Sequence, residues 1–333
     1  MAIRVALVGL GPIGIAVARQ LAFRNGFRIV AAVDIDPLKV GRDAGDVLQL
    51  GRRLRVTVRD AIGRTLKAAK PDVAVLCTGS ALKDVLAHFE EALAQRVPIV
   101  TTTEEAAYPS PRNRGLARRL DTAARRAKVA VLGTGVNPGF VMDALPIALS
   151  AVCERIDRIE VHRVQDARIR RLPFQQKIGA GLTPEQFTRG VEAGRLRHVG
   201  FAESIQMIAD AIGWRLDRVT DDIQPKLATK PVESDLLAVD AGYVCGIVQH
   251  GVGYAKGEPR IRLHLEAYLG APESYDTVLI EGSPRIYSSI EGGVHGDIAT
   301  ASMVVNAIPA VLTAAPGLRT MRDLRLPSFY GGR

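Results

Sequence analysis

The first 140 residues alternate short apolar stretches with segments whose apolar residues recur at helical spacing. The stretch Ile3–Val8 is apolar and β-branched, "GLGPIG" follows it, and "IAVARQLA" then shows a helical pattern. Further strands are predicted at "RIVAAV", "LRVTV", "DVAVLCTGS", "VPIVTTT" and "KVAVLGTG", and helical patterns separate most of them. Strands that alternate with helices predict a doubly wound parallel sheet, an α/β Rossmann fold, over residues 1–140.

The pattern changes in the second half of the chain. "RIEVHRV" and "RIRLHLEAYL" alternate apolar and polar positions, and two helical patterns, "TPEQFTRGVEAG" and "AESIQMIADAIGW", lie between them. We expect a second α+β domain at residues 141–295, with a mostly antiparallel sheet and helices on one face, entered by a helix that starts at Pro138 in "VNPGFVMDALPIAL". The tail "GDIATASMVVNAIPAVLTAAPG" predicts a C-terminal helix, within residues 296–333, that returns to the Rossmann domain.

Composition narrows the class of protein. A chain of 333 residues with 47% hydrophobic and 24% charged residues is typical of a soluble globular protein with two cores. The first apolar stretch is short and carries no basic leader, and no apolar run approaches the roughly 20 residues that span a bilayer, so we expect a cytoplasmic protein without a membrane partner.

Charge and metal-binding residue types exclude two further classes. The net charge of +9 comes from arginines interleaved with acids, which favours a solvated basic surface over a nucleic-acid partner. The three cysteines are scattered, and the six histidines form no pair at metal-ligand spacing with an acidic partner. We therefore predict no metal.

The glycine turn after the first strand predicts a dinucleotide site. Gly9 allows the turn, Gly11 lets the backbone approach a pyrophosphate, and Gly14 lets the helix pack close to the strand. Asp34 closes the second strand, where a carboxylate bonds the adenosine ribose and favours NAD. Lys39 and Arg42 follow and leave NADP open.

Three more strand ends carry small polar residues that we expect to converge on the nicotinamide: "CTGS", "TTTEE" and "GTGVNPGF". Asn137 either bonds the nicotinamide amide or the substrate, or only forms a turn; Asn306, in the tail helix, either reaches the cofactor or packs the helix. The predicted cofactor-binding residues are Gly9, Gly11, Pro12, Ile13, Gly14, Asp34, Ile35, Cys77, Thr78, Ser80, Thr102, Asn137 and Asn306.

A carboxylate at the end of "IVTTTE" indicates amine chemistry. Homoserine dehydrogenases and the glucose-fructose and inositol dehydrogenases resemble this segment but place a lysine there to handle a hydroxyl proton, whereas this chain has Glu104. An anion stabilises an ammonium or an iminium, and as a base it accepts the proton that leaves before hydride transfer. Glu105 is the neighbouring alternative, and we expect one glutamate to face the pocket while the other caps the following helix.

The segments "TTTEEAAYP", "GTGVNPGFVMD", "KIGAGLTPEQF", "HVGFAESIQMIADAIGW", "GDIATASMVVNAIP" and "APGLRTMRDLRLP" resemble the 2,4-diaminopentanoate dehydrogenase family, which includes the native amine dehydrogenases. The resemblance covers nearly the whole chain. It implies NAD(P)-dependent oxidative deamination of an amine, reversible as reductive amination of a ketone or aldehyde with ammonia, and a homodimer built through the second domain. It places the catalytic glutamate in the tandem pair, and alignment of strand ends puts it on Glu104.

Residues for the substrate are less sharply defined by the sequence. Phe140 walls the pocket or belongs to the core, His198 lines the site or caps a helix, His264 serves the pocket or a dimer interface, and Lys177 anchors an acidic group or is solvated. A substrate carboxylate has too many candidate partners for one to be selected: Arg163, Arg168, Arg170, Arg171 and Lys177.

Two other functions fit parts of the pattern. The first is an alcohol or amino-acid dehydrogenase of the homoserine or aspartate type, against which the missing lysine counts. The second is an NAD(P)-binding regulator without turnover, since a fold does not guarantee a reaction. Reduction of a carbonyl without ammonium would favour the first, and NAD(H) binding without activity would favour the second.

Overall fold

The computed structural model describes residues 2–196 and 199–332 and divides them into two compact units. One unit runs to Phe140 and resumes at Gly296, and the other is Val141–His295. Elements are numbered along the whole chain. No helix of the described part is both long and apolar enough to cross a membrane.

A parallel sheet forms the centre of the first unit. Its seven strands lie in the order β15-β6-β5-β4-β1-β2-β3, all parallel, which contains the Rossmann order with one strand added at the β6 edge. These strands are β1 (Ile3–Val8), β2 (Phe27–Val33), β3 (Val58–Arg59), β4 (Val73–Leu76), β5 (Ile99–Thr101), β6 (Ala130–Gly133) and β15 (Gly317–Arg319).

Helices cover this sheet because their apolar residues share one side. Phe89, for example, is fully buried in the core between its helix and the sheet, and burial of such a side chain contributes roughly 2–3 kcal/mol. The helices of this unit are α1 (Pro12–Phe23), α2 (Ala44–Val47), α3 (Ile62–Ala69), α4 (Leu82–Ala94), α5 (Arg114–Ala127) and α10 (Gly296–Val311).

The second unit is built on a six-stranded sheet in the order β14-β13-β7-β12-β11-β8. Only the central β7–β12 pair is parallel. The strands are β7 (Arg155–Asp166), β8 (Arg218–Leu227), β11 (Val244–Ala255), β12 (Glu258–Tyr268), β13 (Tyr275–Ser283) and β14 (Ile286–Glu291), and β9 (Val232–Glu233) pairs with β10 (Ala238–Val239).

One face of this sheet is covered by helices. The helices are α6 (Ala144–Ser150), α7 (Leu172–Lys177), α8 (Pro184–Glu192) and α9 (Phe201–Ala211). Gly251 and Gly253 make room for α9, because a Cβ at either position would come 2.7 Å from Phe201 or Ile205. The alternate positions of the strands, including His250 and His264, point to the other face and keep part of their surface exposed.

The predicted fold class is confirmed: a parallel Rossmann sheet, a mostly antiparallel second sheet, and a C-terminal helix that packs on α1. In that last contact Gln20 Nε2 donates to Ser302 Oγ over 3.0 Å. The strand that follows, β15, was not predicted, since three residues of "GLR" carry too little pattern to identify a strand.

Two predicted elements differ in the structure. The helix expected from Pro138 begins at Ala144, because Asp143 caps it through a 2.6 Å bond from the Ala144 backbone N–H to Oδ1. The strand expected at "LRVTV" is reduced to Val58–Arg59, since Arg55 has a φ of +59°, which no strand accommodates.

Candidate active site

The turn between β1 and α1 requires glycine at two positions. Gly9 has a φ of +87°, and a Cβ there would lie 2.5 Å from the Cys77 carbonyl oxygen. A Cβ on Gly14 would lie 1.9 Å from the carbonyl oxygen of Gly9. At Gly11 a Cβ would meet nothing within 4 Å, so this side of the turn is open to a ligand.

The beginning of α1 suits an anion. Pro12 occupies the first turn, followed by Ile13, and no side chain caps the helix at Gly11. The backbone N–H groups and partial positive charge of such a helix start bind phosphate groups in dinucleotide sites. The glycine turn therefore has the form expected of a pyrophosphate cradle.

Asp34 is held at the end of β2 by backbone bonds. Its Oδ2 accepts from the Leu10 backbone N–H over 2.6 Å, and its Oδ1 accepts from that of Asp36 over 2.9 Å. Lys39 Nζ lies 3.4 Å from Asp34 and 3.2 Å from Asp36, so this cation is shared between two carboxylates. Ile35 follows with 87% of its surface exposed.

Hydrogen bonds join the ends of β4 and β5. Thr103 Oγ1 donates to the Gly79 carbonyl over 2.8 Å, and the Glu105 backbone N–H donates to the Ser80 carbonyl over 3.2 Å. The Thr102 N–H donates to the Leu76 carbonyl over 3.1 Å. The segments that carry the predicted site residues Ser80 and Thr102 are thus held side by side by hydrogen bonds.

Two more predicted residues lie at the end of β4, beside the glycine turn. Burial raises the pKa of the Cys77 thiol to about 12, so the thiol stays neutral and is no nucleophile. Thr78 Oγ1 lies 3.1 Å from His88 Nδ1, and its methyl carbon would be 3.1 Å from a Cβ on Gly9. The sequence interpretation did not include His88, because a lone histidine on a helix gives no signal by itself.

The tandem glutamates have different environments. Glu105 Oε2 accepts from the Leu82 backbone N–H over 2.9 Å and caps the start of α4. The Asn113 side-chain amide donates to the Glu105 carbonyl over 2.8 Å. The expected cap is therefore on α4, which precedes Glu105 in the chain, rather than on the helix that follows. Glu104 begins the 3-10 turn Glu104–Ala106 directly beyond β5 and is partly exposed.

Asn137 is the most informative polar side chain of this unit. It is only 8% exposed, yet neither its Nδ2 nor its Oδ1 has a hydrogen-bond partner within the protein. An unpaired buried amide costs roughly 1–3 kcal/mol. Thr300 on α10 supports its loop, since the Val136 N–H donates to Thr300 Oγ1 over 3.3 Å. A ligand that offers both a donor and an acceptor, such as a carboxamide, fits this position.

Asn306 does not lie with these residues. Its Oδ1 accepts from Arg24 Nη1 over 2.6 Å and from the Tyr330 backbone N–H over 3.1 Å. Arg24 follows the last residue of α1, about 18 Å along that helix from the glycine turn. Its amide oxygen therefore holds the C-terminal tail, which favours the packing role of Asn306 over the cofactor role.

The predicted substrate residues are dispersed between the two units. Phe140 is the last residue of the first unit before the chain enters the second unit. Lys177 is the last residue of α7 and His264 lies on β12, both in the second unit. His264 points to the sheet face opposite α9, beside His250. His198 lies outside the described residues.

Similarity to known proteins identifies the family. The family model for the 2,4-diaminopentanoate dehydrogenase C-terminal domain matches residues 140–332, and a CoA binding domain model matches residues 2–104. The chain is 36% identical to a 2,4-diaminopentanoate dehydrogenase of Acetoanaerobium sticklandii, over 99% of this chain and 95% of that protein. It is 26% identical to an amine dehydrogenase of Streptomyces virginiae, over 97% of this chain and 96% of the relative.

A solved structure agrees with these matches. The amine dehydrogenase of Mycobacterium smegmatis superposes with a TM-score of 0.90 at 25% identity, covering 100% of this chain and 99% of its own. The family predicted from the tandem-glutamate and proline-glycine segments is thus confirmed. The chain belongs to the 2,4-diaminopentanoate dehydrogenase family.

Proposed function

We propose that this protein catalyses the NAD(P)-dependent, reversible oxidative deamination of a small amine, with Glu104 as the catalytic carboxylate. Membership of the family confirms the predicted class, a dehydrogenase that acts on the C–NH2 group of an amine. The observation that carries the proposal is the different position of the two neighbouring glutamates. Glu105 Oε2 caps the start of α4, and Glu104 begins the turn directly beyond β5, at the strand end where ligands bind in this class of fold.

A carboxylate at this position can act at two stages. In deamination Glu104 accepts a proton from the ammonium form of the substrate, since only the neutral amine has the lone pair that assists loss of hydride. Once that proton has passed on to solvent, the re-ionised carboxylate stabilises the positive charge of the substrate iminium as hydride leaves the carbon. Water then adds to the iminium, and ammonia leaves to give the carbonyl product. In the reverse direction Glu104 takes a proton from ammonium, so that neutral ammonia adds to the carbonyl. Loss of water gives the iminium, which accepts the hydride, and the proton returns to the product amine.

The other strand-end residues hold the cofactor. Bound NAD(P) supplies the hydride acceptor at its nicotinamide ring. We assign the unpaired amide of Asn137 to the nicotinamide carboxamide, because one group then satisfies both of its orphaned atoms. Thr78, Ser80 and Thr102 offer hydroxyl groups for the ribose side, and the glycine turn with the α1 start holds the pyrophosphate.

Cofactor choice depends on Asp34 and its neighbours. Asp34 is fixed by two backbone N–H bonds, so its charge meets the ribose 2′ position, which favours NAD. Lys39 is the counter-ion of Asp34 and Asp36 and would have to leave both to bind a 2′-phosphate. We propose NAD as the preferred cofactor, with NADP used less well.

Substrate identity is proposed from the named relatives. One relative is a 2,4-diaminopentanoate dehydrogenase, so 2,4-diaminopentanoate and its ketone, 2-amino-4-oxopentanoate, are the first substrate pair to test. Its carboxylate would need a cationic partner among the arginines and the lysine that the sequence offers, of which Arg163 is already paired with Asp276. A simple amine would need none of them.

The open face of the second sheet suits a second copy of the chain. We define the open face as the side opposite α9, carrying Glu160, His162, His250, His264 and Glu266. Six strands about 4.8 Å apart and roughly ten residues long present about 800 Å², the area each partner contributes to a standard interface. We therefore propose a homodimer through this face, in the cytoplasmic location predicted from the sequence.

A matched pair of variants tests the catalytic proposal. Oxidation of NADH and NADPH would be followed with 2-amino-4-oxopentanoate and a panel of small ketones and aldehydes, with and without ammonium, for the wild type, Glu104→Gln and Glu105→Gln. We expect ammonium-dependent oxidation that falls at least about 10²-fold in Glu104→Gln. Glu105→Gln should retain more of its turnover and lose thermal stability, because its side chain caps α4.

The alternative functions give different results in the same assay. Carbonyl reduction without ammonium would indicate a homoserine-type or aspartate-type enzyme. Tight NADH binding with no turnover on any substrate would indicate a regulator. The proposal would be contradicted if Glu104→Gln kept full activity while Glu105→Gln was folded but inactive. Glu105 would then be the catalytic carboxylate.

A further inference from the structure

Three histidines form a stack across neighbouring strands of the open face. His264 on β12 lies between His250 on β11 and His162 on β7, with ring centroids 4.6 and 5.2 Å away. The Nδ1 atoms of His250 and His264 are 3.1 Å apart, and His264 Nε2 lies 3.0 Å from Glu266 Oε1. Within the described residues, no group of three or more histidine, cysteine or acidic side chains could hold a metal ion. The stack is therefore a set of protonatable groups.

Its geometry limits how many protons it can carry. The contact between the two Nδ1 atoms is a hydrogen bond only if one nitrogen is protonated and the other is not. Two imidazolium rings would place two N–H groups against each other and lose the bond. Protonation of both His250 and His264 therefore separates the two rings and adds positive charge to this face.

The acidic side chains next to the stack are already paired with other cations. His162 lies 3.8 Å from Glu160, while Glu266 is already shared with Lys226 Nζ at 2.9 Å. Glu160 is likewise engaged by two arginines on its own and the next strand. The charged or titratable groups around the stack on this face include Arg158 and Glu160 from β7, Asp222 and Lys226 from β8, Arg262, Glu266 and Tyr268 from β12, Tyr275 and Glu281 from β13, Tyr287 and Glu291 from β14, and Glu273 from the turn before β13.

The face as a whole is complementary to itself. It presents glutamates and basic side chains on adjacent strands, so a two-fold axis through the face can bring opposite charges together. Val248 and Val252 on β11 alternate with His250 and add apolar area next to the stack. An isologous interface of this kind would bury two histidine stacks near each other.

We propose that the His162–His250–His264 stack makes association of two copies through the open face dependent on proton concentration, so that the dimer forms at neutral pH and dissociates in mild acid. This inference rests on the homodimer proposed above and adds the property that controls it. Neutral stacks can be buried against each other. Stacks carrying additional protons repel one another across the interface, and a stack protonated on both His250 and His264 also loses the bond between them.

The surroundings of His264 already favour its neutral form in the single chain. Burial lowers the pKa of His264, the neighbouring His250 and His162 lower it further, and the bond to Glu266 only partly opposes them. Further burial by a second copy acts in the same direction. Below the pKa that His264 has in the single chain, each unit of pH weakens association by at most about tenfold for each copy, or about a hundredfold for two.

Sedimentation equilibrium at pH 7.5, 6.5 and 5.5 and constant ionic strength tests this directly. The wild type should be dimeric at pH 7.5, and its dimer dissociation constant should rise by at least about tenfold by pH 5.5. In His250→Gln and His264→Gln the rise should shrink to less than about tenfold. His88→Gln, which changes a histidine of the first unit, should follow the wild type. Thermal unfolding of each variant establishes that it is folded.

The outcomes separate the proposals from one another. A wild-type dissociation constant that does not change with pH, or variants that retain the full change, overturns the histidine inference and leaves the homodimer standing. A wild type that is monomeric at pH 7.5 overturns both. Ammonium-dependent turnover, measured separately, bears only on the proposed reaction.

Discussion

Asp43 holds together the loop that follows the proposed ribose-binding position. Replacing its carboxylate measures how much its hydrogen bonds contribute to the free energy of unfolding. Asp43 is 6% exposed. Its Oδ1 accepts from the Gly45 and Leu54 backbone N–H groups, both over 2.8 Å, and its Oδ2 accepts from that of Val56 over 3.1 Å. These bonds close residues 43–56 into one structure between Asp34 and β3. Asp43→Asn is the smallest change that disturbs them.

The expected loss follows from the two oxygens. The asparagine oxygen can keep the bonds from Gly45 and Leu54, but its NH2 group would face the N–H of Val56, so one charge-assisted bond becomes a donor–donor contact. Hydrogen bonds to charged groups contribute about 1.5–3 kcal/mol, and we expect a loss of that size. For a unit of this size, a loss of about 2 kcal/mol lowers Tm by roughly 4–8 °C.

Thermal unfolding of the wild type, Asp43→Asn and Asp46→Asn at pH 7 measures this loss. Asp46 is exposed in the same loop and provides the matched control, which should melt within about 1 °C of the wild type. NAD affinity should also fall in Asp43→Asn, because the loop begins near Asp34. If Asp43→Asn melted with the control, the buried bonds would contribute no net stability and the reasoning would be refuted.

The same carboxylate has a defined pH dependence. Burial alone would raise the pKa of Asp43, but bonds from the N–H groups of Leu54, Gly45 and Val56 outweigh it and hold the pKa below the ordinary value. A lowered folded-state pKa means that the stabilisation is present above the unfolded-state pKa of about 3.9 and is lost as the pH falls through the folded-state value. The Tm difference between wild type and Asp43→Asn should therefore shrink below about pH 4.

Two further substitutions test the assigned positions. Gly14→Ala should abolish measurable NAD binding in calorimetry, since its Cβ would lie 1.9 Å from the Gly9 carbonyl oxygen, whereas Gly115→Ala, where a Cβ meets nothing within 4 Å, should bind NAD normally. Asn306→Ala should lower Tm by an amount equivalent to about 1–3 kcal/mol while leaving NAD affinity within about twofold. Equal loss of NAD affinity in Asn306→Ala would restore that residue to the cofactor site.

The features that the sequence predicted best depend on neighbouring residues, at positions where few residue types or backbone conformations are possible. The turn at Gly9 and Gly14 follows from contacts that no other residue tolerates, and the alternation of "RIRLHLEAYL" allows only a strand with one buried face. A parallel sheet with a distal carboxylate then follows from the order of the elements. These predictions needed no information about distant contacts.

The points that the sequence left open or misplaced depended on distant contacts. Asn306 lies in an apolar helix, and only the position of Arg24 and the returning tail shows what its amide binds. The choice between Glu104 and Glu105 likewise turns on the Leu82 N–H, which lies 23 residues earlier in the chain. The start of α6 was misplaced because Pro138 is a common first helical residue, whereas the cap on Asp143 operates only at Ala144.

The strand β15 is translated long after β6, the strand with which it pairs, and this delay affects folding. β6 ends at Gly133 and β15 begins at Gly317, so roughly 180 residues are translated between two strands that pair side by side. At about 5–20 residues per second a ribosome needs roughly 10–40 s for that segment. During this time the outer edge of β6 lacks its native neighbour, and an exposed parallel edge is a site for aggregation. The nascent chain therefore depends on its last segments to close the nucleotide-binding sheet, and a translational pause within the second unit would prolong its exposure to chaperones.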